Sequence, residues 1–391
     1  MRSEKAAVNF SESATGSKPQ RGLGWGVAPS LREVIALWLL TCFIFVLGVA
    51  PLCNYFELVD RFGDSSAYMQ IATSIRHWNF QGVMIKQFWG LPYAMAALSF
   101  AGICERTALL LLCFSSSLAS VVIAYRLWGG WISGFFTILN FDWIQRSFLG
   151  GSEPLFVALL FASFLAVRKQ RWWLAALLAA LATVVRPLGI FALLAIGLLL
   201  LWKREYRNLA LSVAIGVVVG ILYALPLAMK TGDALATVHS YHSPEWQGGW
   251  LFGFPFYAIV KGTFTEPAPW TNLVASFAWI FLVLIAVIIM LRSVIRRNGQ
   301  FRQYAQAHAV EILFLIPFLW CLFTYNYPHW ARGNFERFSI PILPFILIAW
   351  NGWIPKDRRL LWTLGAVMPL MAAVSALGLG NVAGLVRRAI G

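Results

Sequence analysis

Charge is what this sequence is short of. Only 12% of its 391 residues are Asp, Glu, Lys or Arg, about half the share of an ordinary soluble domain. Acid is scarcer still, with 16 Asp and Glu against 31 Lys and Arg. Cysteine is sparse too. Cys42, Cys53, Cys104, Cys113 and Cys321 form no CxxC pair and fall mostly in or beside apolar runs, so they read as small apolar fillers. No basic stripe, zinc-knuckle spacing or basic–aromatic platform occurs, which removes nucleic-acid binding in spite of the net charge of +15. The first 30 residues have no apolar core, so residues 1–33 read as a disordered tail and not as a cleaved signal.

What the chain has in quantity is grease. Hydrophobic residues make up 60%, in repeated runs close to the roughly 20 residues that cross a bilayer as a helix. The pattern predicts an all-α integral membrane protein of about eleven spans. These lie near 34–53, 107–125, 130–142, 153–167, 172–185, 188–202, 208–228, 272–291, 309–325, 340–354 and 360–379. Residues 34–391 then form a single polytopic domain. Its first outward loop is 54–92 and its second 229–271, with short amphipathic helices in the interface. Leu91–Ile103 is apolar but short, which suits a helix lying at the membrane surface.

Most of the basic residues, from Arg2 and Lys5 through Arg126, Arg168, Arg204 and Arg296 to Arg359, sit in short segments on the side of the N-terminus. The positive-inside rule makes that side cytoplasmic, as in the plasma or inner membrane of a bacterium, and turns the 142–153 and 326–339 segments outward. Trp128, Trp131, Trp172, Trp173, Trp202, Trp270, Trp350 and Trp353 flank spans, where an amphipathic ring favours the headgroup level. Gly216 and Gly220, four apart in one span, read as a close-packing pair. No internal repeat suggests a two-fold transporter architecture.

Against this background the polar first loop stands out, gathering Glu57, Asp60, Arg61, Asp64, Arg76, His77 and Lys86. Asp64 opens a short amphipathic helix with Tyr68 and Ile71 at helical spacing, so it is either a cap or an acid presented at a helix N-terminus. Glu153, in GGSEPLFVALLF, opens an apolar span with Pro154 behind it. It too caps the helix or meets a partner in a cavity, because a bare carboxylate there is costly. Two acids from separate loops on one face suit general-base work on a hydroxyl or amine. Lys86, Arg186, Arg332 and Arg337 are cations of the same face, read as headgroup anchors or as a phosphate clamp. His239, His242 and Trp246 lie in the second outward loop, in position to fold over substrates. The histidine spacing is a weak match to a metal site. A divalent cation stays open but no ligand cluster supports one, and no other cofactor is indicated.

Several of these segments together resemble the GT-C superfamily of membrane glycosyltransferases, which use polyprenyl-phosphate sugars and include protein O-mannosyltransferases, GPI-anchor mannosyltransferases and the lipid A aminoarabinose transferase. GDSSAYMQIA is similar to the family's first-loop acidic motif, and FWGLPYAMAALSFAG to the aromatic–Gly–x–Pro segment that closes that loop. GGSEPLFVALLFASFLAVRK, AALLAALATVVRPLGI and RFSIPILPF resemble its outward acid, its Ala-rich hairpin with Arg and its late Arg–aromatic segment. The resemblance implies Asp64 as general base, Glu153 as a second acidic site residue and Lys86 as a ligand of the donor phosphate. It departs at Ser65-Ser66, where many relatives carry a second acid, which weakens a metal reading. No large soluble outer domain is seen, which turns the expected acceptor away from a peptide sequon.

The expected function is thus transfer of a sugar, with inversion, from a polyprenyl-phosphate donor to a lipid, glycan or protein acceptor at the outer face. Asp64 serves as base, with Glu153 and Asp60 as accompanying acids. Arg186, Arg337, Arg332 and Lys86 surround the phosphate, and Tyr68, His239, His242 and Trp246 belong to the substrate loops. A flippase for a lipid-linked sugar and a polysaccharide ligase or polymerase are the competing readings. The enzyme reading requires the carboxyls of Asp64 and Glu153 to share one site with at least one of Lys86, Arg186 or Arg337.

Overall fold

A computed structural model describes residues 27–80, 87–240, 252–265, 270–296, 308–326 and 334–378. Among them the chain is helical throughout. Its sole extended pairing is an isolated antiparallel bridge between Phe252 and Tyr325.

The first helix, α1 (Leu31–Val49), starts on a capping box. The Ser30 side chain accepts from the Glu33 amide, and Glu33 reaches back to the Ser30 amide. Arg358 then donates to the carbonyls of Val27 and Ala28 and pairs with Glu33 at 2.9 Å. Residues 27–33, expected to belong to a disordered tail, are therefore ordered by a cap and a cross-chain arginine. Down the helix, Val34, Leu37, Trp38, Thr41, Phe45 and Val49 fall on one buried face. The last helix, α18 (Arg358–Leu377), lies against α1, closely enough at Gly365 that a β-carbon there would overlap Leu37.

The expected first loop is largely helical. Asn54 caps α2 (Tyr55–Arg61), Asp64 precedes α3 (Ser65–His77), and α4 (Gly90–Phe100) follows. The short apolar helix α4 buries Leu91 and Met95 completely and packs on α3, α5 (Glu105–Trp128) and α9 (Trp172–Val185). Next come α6 (Gly130–Ile138), α7 (Phe141–Leu149) and α8 (Glu153–Arg168). The chain bends by 107° between α7 and α8. Gly150 makes the bend with φ +122, and a β-carbon there would lie 2.6 Å from Ser65 Oγ. Only glycine adopts that conformation at no cost.

Helix α9 presents Ala175, Ala176, Ala179, Ala180 and Ala182 as a buried small-residue face, and α8 packs on it. Pro187 then ends α9, since a proline pushes the residue before it out of the helical region. Arg186 accordingly has φ −146 and ψ 134. The chain continues through α10 (Ile190–Trp202), α11 (Tyr206–Thr231), α12 (Ala236–Ser240), α13 (Tyr257–Thr265), α14 (Trp270–Arg296), α15 (Ala309–Thr324), α16 (Asn334–Ser339) and α17 (Leu343–Ala349) before α18.

Among the described residues four helices, α1, α5, α11 and α18, are long and apolar enough to cross a membrane, or five spans if the bent α7–α8 pair counts as one. Along α11 only Ser212 and Leu227 are buried, while Val213, Val217, Val218, Ile221, Leu222 and Leu225 are exposed. It packs on α9 and α10 along one side, and an apolar helix that leaves the rest of its surface bare is what bilayer hydrocarbon stabilises.

The expected count of about eleven spans is not confirmed among the described residues. Helix α9, with 14 residues, is only about 21 Å long. The run at 130–142 stops at Asn140, which caps the next helix instead, and the run at 340–354 is broken into short pieces around Pro341 and Pro344. Nor do Gly216 and Gly220 make a close-packing pair. A β-carbon on Gly216 would meet only Leu193, at 3.9 Å, and one on Gly220 would meet nothing within 4 Å.

Gly90 is the contrasting case, since a β-carbon there would lie 2.5 Å from the Val184 carbonyl oxygen. G90A is expected to lower stability by about 1–3 kcal/mol through overpacking of α4 on α9. G220A, in open space within α11, should match wild type or gain up to about 1 kcal/mol. Thermal unfolding of both variants in detergent checks the pair.

Candidate functional site

The bend, the Pro187 kink and the short helix α16 converge on one carboxylate. Glu153 opens α8 and is 1% exposed. Its Oε1 accepts from Arg186 Nη1, delivered by the kink after α9, and from Arg337 Nε, delivered by α16. A third guanidinium, that of Arg146 on α7, has its Nε 3.6 Å from the same oxygen. Arg337 also reaches outward, donating through Nη2 to Asp64 Oδ2 at 3.1 Å. One arginine therefore bridges the two carboxylates from separate loops.

Asp64 is the open end of the group. Its side chain retains 32% of its accessible surface, against 14% for Arg337. Burial works against its charge, but Arg337 and Arg146 outweigh this and hold its carboxyl below the ordinary aspartate range. It makes no side-chain cap bond to α3, which leaves its oxygens to Arg337 and to Gln87, whose Nε2 donates to Oδ1 at 3.3 Å.

Arg337 is positioned by its neighbour. The Phe141 amide donates to Glu336 Oε1 at 2.7 Å, and Asn140 Nδ2 donates to the Glu336 carbonyl at 3.1 Å. These bonds tie α16 to the start of α7, so the next side chain in sequence points at Glu153. Burial, with Asp142 nearby, pushes the Glu336 carboxyl above the ordinary glutamate range. The Phe338 ring lies 5.3 Å from the Arg186 guanidinium and 5.9 Å from that of Arg337, close enough for cation–π attraction.

Of the residues singled out in the sequence, Asp64, Glu153, Arg186 and Arg337 are thus brought together. Tyr68 is beside them but is no loop residue. It is buried on α3, its hydroxyl lies 3.1 Å from Ser152 Oγ, and burial pushes that hydroxyl well above the ordinary tyrosine range. Asp60 is placed elsewhere. Both its oxygens accept from Arg106, with Nε at 2.7 Å from Oδ1, at the α2–α5 junction. A neighbouring arginine claimed it, so it does not join Asp64. His239 on α12 pairs with Asp233 at 2.7 Å on an exposed surface. Lys86, His242, Trp246 and Arg332 lie outside the described residues.

Arg146 is the member that sequence reasoning missed. The 142–153 segment, expected as an outward turn, instead contributes most of α7, with everything from Trp143 to Leu149 buried. A cation at helical spacing from Asp142, just before a Gly-Gly pair, was the available signal. Among the described residues no group of three or more His, Cys, Asp or Glu could hold a metal ion.

Such an arrangement can bind an anion at the arginines while an ionised carboxylate faces whatever approaches from the open side. Comparison with family models, curated proteins and solved structures returned no match.

The stability effect of Asp64 has a definite sign. Its folded-state pKa lies below the unfolded value, so its ionisation favours the fold above the ordinary aspartate range, and that contribution is lost as pH falls through the lower folded value. The difference in unfolding midpoint between wild type and D64N should therefore be largest near neutral pH and shrink in acid. Replacing Glu153 by Ala leaves its arginines facing one another and should cost about 3 kcal/mol or more at neutral pH. Thermal unfolding in detergent across a pH series reads both.

Proposed function

We propose that this chain is a membrane glycosyltransferase that moves a sugar from a polyprenyl-phosphate donor to a hydroxyl or amine acceptor, with inversion, at the outer membrane face. The observation that carries the reading is the bridge of Arg337 between the open Asp64 and the deep Glu153, with Arg186 on the same oxygen of Glu153. The resemblance of the segments around Asp64, Glu153, Arg186 and Arg337 to GT-C glycosyltransferases supports the same assignment.

The chemistry divides between the two acids by exposure. Asp64 is the general base: it takes the acceptor proton as the acceptor oxygen or nitrogen forms its bond to the anomeric carbon. The bond from that carbon to the phosphate oxygen breaks on the opposite face, and the electron pair leaves with the polyprenyl phosphate. Arg337 and Arg186 stabilise the negative charge that develops there. Glu153 has its Oε1 occupied by Arg186 and Arg337, and it acts as a positioning residue that holds the two guanidiniums in place. In the resting site Arg337 also keeps Asp64 ionised but only weakly basic. A donor phosphate that draws Arg337 away raises the proton affinity of Asp64, so the base strengthens when the donor arrives. The apolar surface of α11 and its neighbours suits the polyprenyl tail.

Screening the purified protein against several polyprenyl-phosphate sugars identifies the donor, and D64N then tests the mechanism. The variant should insert and fold normally yet lose about 10²- to 10⁴-fold in transfer rate. Full activity in D64N would remove Asp64 from the reaction. Sugar movement across a vesicle membrane without transfer would favour a flippase.

A further inference from the structure

Arg146 differs from the other two arginines of the cluster in one respect: among the described residues its guanidinium makes no hydrogen bond. It is 7% exposed, and its Nε and Nη1 are sealed from solvent without an acceptor. The nearest carboxylate oxygens, Glu153 Oε1 at 3.6 Å and Asp142 Oδ1 at 3.8 Å, supply opposite charge but lie beyond hydrogen-bond reach. Oε1 of Glu153 is already taken by Arg186 and Arg337. The surroundings seat the guanidinium without satisfying it. The Phe62 ring lies 5.2 Å away, and Gly63 packs so near that a β-carbon there would lie 3.1 Å from Nη1. Any side chain at Gly63 or Gly151 would crowd this arginine.

A buried guanidinium with no acceptor is among the costlier features a fold can carry. Its planar fork of donors matches the oxygens of a phosphate, which can accept two parallel bonds at once. Arg146 also stands beside the carboxylate that positions the other two arginines, so an oxyanion bound to it would lie within reach of all three.

We propose that Arg146 is the seat of the phosphate group in this site, both in the sugar donor and in the polyprenyl phosphate left after transfer. The inference rests on the transferase reading for the identity of the ligand, while the anion seat itself rests on the unsatisfied guanidinium. Arg186 and Arg337 then flank the phosphate, and Arg146 anchors it by the paired bonds it otherwise lacks.

Calorimetric titration of the full chain in detergent micelles tests the assignment, with farnesyl phosphate, farnesol and inorganic phosphate as probes. Wild type should bind farnesyl phosphate and not farnesol. R146Q should bind it about tenfold to a hundredfold more weakly, the effect of losing a charge-assisted pair of bonds. R146K, which keeps the charge but not the fork, should fall between them, and R61Q, at an exposed pair with Glu57, should match wild type. Competition by inorganic phosphate at comparable concentration would show that the seat recognises the ion alone, and absence of competition that it needs the lipid-linked form.

Wild-type affinity in a folded R146Q overturns the proposal and leaves Arg146 as a counter-ion of Glu153. Should R146Q fail to fold, R146K decides, and an unchanged affinity there overturns it equally. The two readings fail separately. Phosphate binding lost in R146Q, with no transfer from any polyprenyl-phosphate sugar, keeps the seat and removes the transferase. Transfer by R146Q with donor affinity intact does the reverse.

Discussion

A carboxylate at the head of an apolar helix, almost wholly out of water, keeps its charge only if cations come to it. Glu153 is in that position, and the arginines that answer it arrive from three different elements: α7, the end of α9 and α16. Each arrival depends on a local feature of the backbone. The Gly150 bend turns α7 back over the head of α8, Pro187 turns Arg186 out of its helix, and Glu336 fastens α16 to α7. Loosening any of these leaves an uncompensated charge behind, which is costlier than the intact group is stabilising.

The same helix has a second ionic group at its far end. Arg168 closes α8, donates to Glu311 at 2.6 Å and to the Leu127 carbonyl at 2.7 Å, and so ties α8 to α15 and α5. With its 16 residues α8 spans about 24 Å between these groups, and its middle is packed by Phe156, Leu160, Phe161 and Phe164. A helix fixed at both ends by ion pairs and along its length by packing is a rigid mount. Charges held on such a mount keep their spacing when a substrate binds, which is the condition for electrostatic stabilisation of a leaving group.

Much of the site is legible in the sequence. Asp64 and Glu153 could be picked out because acids are rare in this chain and each begins a helix after a glycine-containing turn. Arg186 could be picked out because it interrupts an apolar run just ahead of proline. Asp60, expected to accompany Asp64 because it is close in sequence, is separated from it because Phe62 at the end of α2 and Gly63, with its positive φ, break the helix between them. Apolar runs and helices part company where the runs are interrupted. Proline and asparagine inside greasy stretches shorten helices without changing composition, so a composition window cannot see them.

Composition and local backbone preference by themselves determined that this is a helical chain with segments able to cross a bilayer, where several helices start and stop, and which few side chains are chemically unusual. These properties depend on residues close together in sequence. The tertiary structure alone decided which charges meet. Glu153 finds Arg186 33 residues away and Arg337 184 residues away, and Arg337 finds Asp64 at a separation of 273. No local pattern encodes such distances, because they follow from how the helices pack, and packing is the sum of many apolar contacts in which the arginines themselves take little part.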